Sequence, residues 1–237
     1  MNTLVKVLFF IGISSLSGYS QSYYFKTGKN FSNYNFSYSV VGSETTKVKL
    51  QSDSGTFYEL GVATPFGTSR FSYELGISLN ELNSMVESPA KSVKYKTEYI
   101  GLDNAIVFSV IRSKRLLLDT KLGLGVETMI FGKQEIGGLL YDLKEFNEFN
   151  GFFIRPSLGT QFKLVASNEL SFTVGYDYHY DVFNSKNTSN QSLLIHTGQV
   201  KFGMYYTMNK KEDKKKKDTD RSKSSGIDVA PILNTNK

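Results

Sequence analysis

His179 is the residue best placed for chemistry in this sequence, because it lies between two carboxylates. Asp177 and Asp181 flank it at a spacing of two residues, which places all three side chains on one face of an extended strand. Such an Asp/His set can act as a general base or hold a weakly bound cation. The alternative is a polar side chain satisfied inside the protein, and we favour this second interpretation.

The composition removes most other chemistry. The 237 residues include no Cys, which excludes a disulfide framework, a thiolate zinc site and a Cys nucleophile. Two His leave little for a multi-His metal site, and no phosphate-cradling Gly loop or nucleophile elbow is present. We therefore predict no catalytic residue, no metal and no cofactor.

The elements that must position His179 are β-strands, because apolar and polar residues alternate with a period of two. Seven segments show this pattern: 58–63, 70–80, 99–110, 116–131, 152–164, 170–182 and 199–208. An eighth strand is predicted within 22–40, where Tyr34, Phe36 and Tyr38 alternate with polar residues. Asn104 interrupts the apolar row of its strand and predicts a bulge there.

The connections predict the topology, since short and long ones alternate along the chain. The predicted short turns are 65–68, 112–115 and 165–168, and the predicted long polar loops are 41–53, 82–94, 132–150 and 184–192. This order is typical of an up-and-down meander whose long loops all lie at one end. An even number of strands places both termini at the other end.

The charges decide which face is inside. One face of each strand is apolar, whereas the other carries small residues and charges of both signs. A soluble barrel would enclose the apolar face and a membrane barrel the polar one; we favour the membrane barrel, because its inward charges can pair with one another. The predicted lumen network comprises Glu59, Arg70, Glu74, Asp103, Asp119, Lys121, Glu127, Arg155, Lys163, Asp177, His179, Asp181 and Lys201. Its balanced signs predict a salt-bridged plug, with a narrow pore as the alternative.

The last predicted strand carries a more specific pattern. In 201–208, a polar residue is followed by Gly and then by an aromatic and a hydrophobic residue on one face: Lys201, Gly203, Tyr206 and Met208. This pattern resembles the closing-strand signal that the barrel-assembly machinery reads in bacterial outer-membrane barrels. The segment 21–208 resembles the small outer-membrane β-barrels of Bacteroidetes, grouped with OmpA/OmpX-like and PorT-like barrels. The resemblance implies an all-β, eight-stranded antiparallel up-and-down transmembrane β-barrel in a Gram-negative outer membrane.

The two ends of the chain differ from this body. Residues 1–20 read as a signal peptide, with Lys6 before a short apolar run and small residues before the expected cleavage point. Residues 209–237 hold nine basic and five acidic residues, and we predict a disordered basic periplasmic tail that can meet an anionic partner. The formal charge of +6 therefore lies mostly in the tail, so the body gives no reason to expect nucleic-acid binding.

The predicted loop 132–150 is the longest and is unusually apolar. Its candidate binding residues are Leu139, Leu140, Tyr141, Phe146 and Phe149. With outer-membrane lipid as the surroundings, we expect a non-enzymatic structural or surface-binding (adhesion) protein that acts through its long extracellular loops. The alternatives are a narrow transport pore and a lipid-modifying enzyme. The enzyme would use an outward-facing His196, for which the sequence offers no partner residue.

Overall fold

Strict alternation produces long strands that pair with their neighbours in chain order. The computed structural model describes residues 21–38, 46–88, 91–145, 151–183 and 191–208. The predicted signal peptide and the predicted tail lie outside these residues. Among the described residues, no helix is both long and apolar enough to cross a membrane.

Ten strands and one short helix make up the described chain. They are β1 (Ser22–Tyr38), β2 (Thr46–Lys49), β3 (Gln51–Pro65), β4 (Phe71–Ser88), β5 (Lys91–Arg112), β6 (Leu116–Ile136), β7 (Leu139–Asp142), a 3₁₀-helix (Leu143–Glu145), β8 (Phe152–Val165), β9 (Leu170–Phe183) and β10 (Gln191–Thr207). Eight of the strands are long, and the predicted up-and-down order is confirmed. The first strand, which had the weakest pattern, spans the whole of Ser22–Tyr38.

The sheet closes on itself. β10 pairs antiparallel with β1 from Ser22 opposite Thr207 to Tyr38 opposite Gln191, so the long strands form an eight-stranded barrel. The described chain ends meet at the rim, where the Met208 amide donates to the Gln21 carbonyl at 3.0 Å. Short turns occupy this same end, and one of them uses Gly67 at a φ of 59°.

All four predicted long loops are wrong in extent: 41–53 contains β2 and the start of β3, and 184–192 includes the first two residues of β10. Strands β4 and β5 continue through the predicted loop 82–94 and stay paired up to Ser88 opposite Lys91. In the predicted loop 132–150, β6 continues to Ile136 and turns back into β7. The Gly137-Gly138 turn has φ angles of 57° and 86°, which a two-residue type I′ hairpin requires. Polar residues on these extensions read as loop, although their backbone remains in the sheet.

The predicted bulge at Asn104 is also wrong. Asn104 stays in register, opposite Leu124 on β6, and accepts a hydrogen bond from the Tyr73 hydroxyl. The irregularities of the β5–β6 pair fall instead at Val110 and at Ile130, which have no residue opposite them. A polar residue in an apolar row thus marks a local hydrogen bond here, not a change of register.

The barrel has the reverse of a soluble protein's polarity. Leu122 and Leu158 are 65% and 64% exposed on the outer face, whereas Lys26 and Arg155 are each 1% exposed inside. Alternation along each strand separates the two sets. The outer face therefore presents a broad apolar band, and the polar residues meet at the barrel axis.

Candidate functional site

A closed ring of six charges crosses the barrel interior. Three ammonium groups alternate with three carboxylates in the order Lys26, Glu74, Lys121, Asp177, Lys201 and Glu59. Neighbouring N and O atoms are 2.5 to 3.9 Å apart around the ring. Each member comes from a different strand, and the ring as a whole is neutral. All of them except Lys26 were predicted from the sequence.

Glycines and tyrosines complete the surroundings of the ring. A Cβ atom at Gly159 would lie 2.0 Å from Asp177 Oδ1, so the neighbouring strand must carry no side chain there. The hydroxyl of Tyr24 donates to Glu59 Oε1 at 2.7 Å, and that of Tyr205 donates to Glu74 Oε1 at 2.6 Å. These extra hydrogen bonds matter, because a buried ion pair offsets its desolvation cost only when its remaining polar atoms are satisfied.

A second polar layer lies next to the ring on the long-loop side. Arg155 Nη1 contacts Glu127 Oε1 at 2.7 Å, and Asn80 Nδ2 donates to the same oxygen at 2.7 Å. Gln199 links this layer to the side chains of Asn30 and His179. The layer shows that His179 is a buried part of the polar packing, not a base open to solvent.

A hydrophobic cap closes the long-loop side of the interior, and the sequence analysis did not predict it. It consists of Tyr34, Leu50, Leu82, Tyr99, Leu143, Phe153, Leu193 and Ile195. The Tyr34 hydroxyl donates to the Leu82 carbonyl at 2.8 Å, so even the polar atom of this side chain is satisfied. The available signal was the appearance of apolar residues in the polar row near the strand ends.

In the described part of the chain, the interior is open only at the short-turn end, where a cavity of about 240 Å³ is lined in part by Ser109, Asp119 and Lys163. A cavity of about 20 Å³ lies beside the ring, lined in part by Asp177, His179 and Lys201. A space of that size suits a single water molecule. Among the described residues, no group of three or more His, Cys, Asp or Glu side chains is arranged to hold a metal ion.

Other predicted lumen residues lie nearer the short-turn end. Asp119 accepts hydrogen bonds from Ser109 and Gln161, and Lys163 lies over the Tyr205 ring at 4.1 Å. The prediction that Arg70 lies in the lumen is wrong. Arg70 is exposed in a turn, where it donates to the Val110 carbonyl at 3.4 Å. A strand pattern extended into a turn placed this residue inside by mistake.

Three further positions complete the comparison with the sequence. Asp103 lies in β5, where its Oδ1 faces Gly125 and a Cβ atom there would be 2.4 Å away. Asp181 lies in β9 opposite Ile195, and its side chain is outside the described part. In the closing strand, Lys201 joins the ring, Gly203 faces inward beside Lys26, and Tyr206 and Met208 are exposed on the outer face.

The long-loop end carries an apolar hairpin. Leu139, Leu140 and Tyr141 of the predicted binding loop form most of β7 and are all exposed. Phe146 and Phe149 lie outside the described residues. Within the described chain β7 pairs only with β6, so one edge of the hairpin is free.

The filled interior gives a first prediction. Since the ring, the polar layer and the cap fill the barrel axis above the short-turn cavity and leave only a water-sized space beside the ring, the folded protein should show no conductance steps in planar bilayers. A parallel gel must show that the apparent mass of the reconstituted protein changes on boiling, which confirms that the protein in the bilayer is folded. Steady conductance that disappears in Glu127→Lys or Arg155→Glu would contradict this prediction and favour the narrow pore.

The strand order and the polarity define the class: an eight-stranded antiparallel β-barrel with a side-chain-filled, ion-paired interior and an apolar exterior. No protein-family model and no curated protein matches the sequence. Among solved structures, the chain is similar to Neisserial surface protein A (NspA), at 12% identity over 78% of this chain and 97% of that chain, with a TM-score of 0.45. It is also similar to the attachment invasion locus protein Ail of Yersinia pestis, at 14% identity over 81% and 100% and a TM-score of 0.39. A third similar structure is the outer membrane protein OprG of Pseudomonas aeruginosa, at 13% identity over 81% and 99% and a TM-score of 0.48.

Proposed function

We propose that the protein is an integral outer-membrane β-barrel of a Gram-negative bacterium that acts as a non-enzymatic structural or surface-binding protein. The observation that carries this proposal is the reversed polarity of the barrel. A band of exposed Leu, Ile, Val, Phe and Tyr surrounds an interior of paired charges, and such a surface requires a lipid environment. We further propose that it is a PorT-like barrel of the Bacteroidetes type, because the segment 21–208 is rich in Tyr, Phe, Asn and Lys and follows a signal peptide expected to end before Gln21.

The long-loop end faces the exterior in this proposal, and both termini face the periplasm. At a strand tilt of about 40°, β6 rises about 50 Å along the barrel axis from Leu116 to Ile136. This rise is about twice the height of an apolar band of about 25 Å. The hairpin at its tip therefore stands well clear of the lipid. The barrel-assembly machinery and an anionic partner of the basic tail remain proposed periplasmic contacts.

The hairpin supports a binding role. Leu139 and Leu140 are each 63% exposed. When a partner covers apolar side chains at the tip of a water-exposed hairpin, their removal from water stabilises the complex. Among the described residues, no strand pairs with the second edge of β7, and an extended segment of a partner can use the backbone groups of that edge. The filled interior and the exposed apolar hairpin together favour adhesion over transport.

The test is retention of bacteria that display the protein on octyl-coated wells, which offer an apolar surface of the kind that the hairpin would cover. Cells with the wild-type protein should be retained more than cells with the Leu139→Ser/Leu140→Ser/Tyr141→Ser variant, by about threefold or more if the hairpin buries these side chains. The matched control is Lys144→Ser/Glu145→Ser, which alters exposed polar residues directly after the same hairpin. Equal retention of wild type and hairpin variant would remove the proposed role of the hairpin.

A further inference from the structure

A polar patch interrupts the apolar outer face on four adjacent strands. We define the His196 patch by five residues: Tyr178 on β9, His196 on β10, Asn33 and Asn35 on β1, and Lys49 at the end of β2. His196 is directly opposite Asn33, and Asn35 is directly opposite Lys49, so these side chains share one face of the sheet. Polar groups in contact with hydrocarbon are costly, so the patch needs either headgroup-level surroundings or a ligand.

His196 is held in place within the patch. Its Nδ1 atom is hydrogen-bonded to the Tyr178 hydroxyl at 2.9 Å, and the Tyr180 ring packs edge-on against it at 4.7 Å. No hydrogen bond to His196 Nε2, or to the side-chain amides of Asn33 and Asn35, is made by the residues that the structure describes. When the Tyr178 hydroxyl donates to Nδ1, Nε2 of the neutral ring carries the proton and can donate at the outer surface, as can the two side-chain amides.

The height of the patch agrees with a lipid headgroup. Tyr206 lies at the short-turn end of β10 and His196 lies ten residues further along the same strand. At about 3.3 Å per residue and a tilt of about 40°, the two are about 25 Å apart along the barrel axis. That distance equals the usual height of the apolar band, so His196 lies at its outer edge, where the headgroups of the outer leaflet begin.

The charge of the patch is positive. Lys49 is exposed and lies across β1 from His196, and the patch contains no carboxylate. On β4 and β5 the outer face has the opposite character, because Glu81 and Glu98 face each other across that strand pair. A negatively charged headgroup therefore has one favourable side of the barrel to approach.

We propose that the His196 patch binds the phosphate group of an outer-leaflet lipid, with Lys49 supplying the charge and His196 and the two asparagines supplying hydrogen bonds. The exposed rings of Phe31 and Tyr176 offer apolar surface nearby for the acyl chains. This inference rests on the membrane location proposed above. It adds a specific lipid contact that the apolar band alone would not require.

The test is native mass spectrometry of the protein released from vesicles that contain lipid A, a glycolipid with two phosphates, in phosphatidylcholine. The wild type should retain lipid A in preference to phosphatidylcholine. Retention should fall about fivefold in Lys49→Gln, given the usual contribution of one lysine at an anionic surface, and further in Lys49→Gln/His196→Gln. Lys144→Gln, which removes an exposed lysine outside the patch, should leave retention unchanged.

Three results would overturn the inference. Retention of lipid A and phosphatidylcholine in equal amounts would mean general headgroup contact only. Displacement of lipid A by millimolar inorganic phosphate would mean an anion site without a lipid requirement. Failure of the wild type to enter vesicles at all would overturn the membrane location as well, whereas insertion without selectivity would overturn only the lipid site.

Discussion

Replacement of Leu122 by lysine is expected to destabilise the folded barrel by about 2–4 kcal/mol in a lipid bilayer. Leu122 is 65% exposed and lies six residues above the short-turn end of β6, which is about 15 Å along the axis and close to the middle of the apolar band. A lysine there has hydrocarbon on all sides, and its neighbours directly opposite, Ile106 on β5 and Leu158 on β8, offer no carboxylate to pair with. The measurement is the free energy of unfolding in urea for protein inserted in phospholipid vesicles.

The matched control is Leu140→Lys. Leu140 is the same residue type and is almost equally exposed at 63%, but it lies on the hairpin that we place outside the lipid. In water, an exposed leucine and an exposed lysine differ little in their effect on stability, so this variant should change the free energy by less than about 0.5 kcal/mol. Similar effects at both positions would mean that the apolar face does not contact lipid, and the soluble-barrel alternative would have to be reconsidered.

The fold was largely predictable because alternation carries both kinds of information that a barrel needs. A period of two identifies the strands, and the position of Glu127 or Lys121 in the row opposite Leu122 shows which face is inside. The register was not predicted, because the three short turns constrain it only for the strand pairs that they join. Strand number and topology, by contrast, followed from local patterns.

Strand ends were predicted less well for a physical reason. Above the apolar band both faces of β4 and β5 meet water or the barrel interior, and the outer row no longer needs to be apolar. Polar residues such as Lys94 then resemble a loop, although the backbone pairs remain. The cap was missed for a related reason. Leu82 and Phe153 belong to the inner row, which is polar nearer the short turns and becomes apolar at the cap.

The pairing of charges within the interior ring could not be predicted from the sequence. The sequence identified five of its six members as inward charges, yet Lys26 was missed because its strand combines Gly28 and nearby polar residues with an uneven apolar row. Which charge pairs with which depends on the stagger of all eight strands around the barrel, and no local pattern contains that quantity. Only the closed structure shows that the six charges form a single neutral ring.

Because the ring is neutral, removal of one of its charges leaves a buried charge without a partner. We therefore expect Glu74→Gln to destabilise the barrel by about 3–5 kcal/mol. Glu74 Oε2 contacts Lys26 and Lys121 at 2.8 Å each, and Glu74 is only 3% exposed. Glutamine keeps the shape of the side chain and removes its charge, which leaves three buried lysines with two carboxylates. The Glu98→Gln variant makes the same chemical change on the outer face and should cost less than about 0.5 kcal/mol.

A compensating variant separates charge balance from packing. In Glu74→Gln/Lys121→Met, the remaining members Lys26, Glu59, Lys201 and Asp177 still form a neutral chain of contacts. If unbalanced charge is the cause, removal of one group of each sign should restore at least half of the lost free energy of unfolding, measured in the same urea titration. If the double variant is instead as unstable as the sum of its single variants, the ring is held by the shape of its individual side chains, and its neutrality is not what stabilises the barrel.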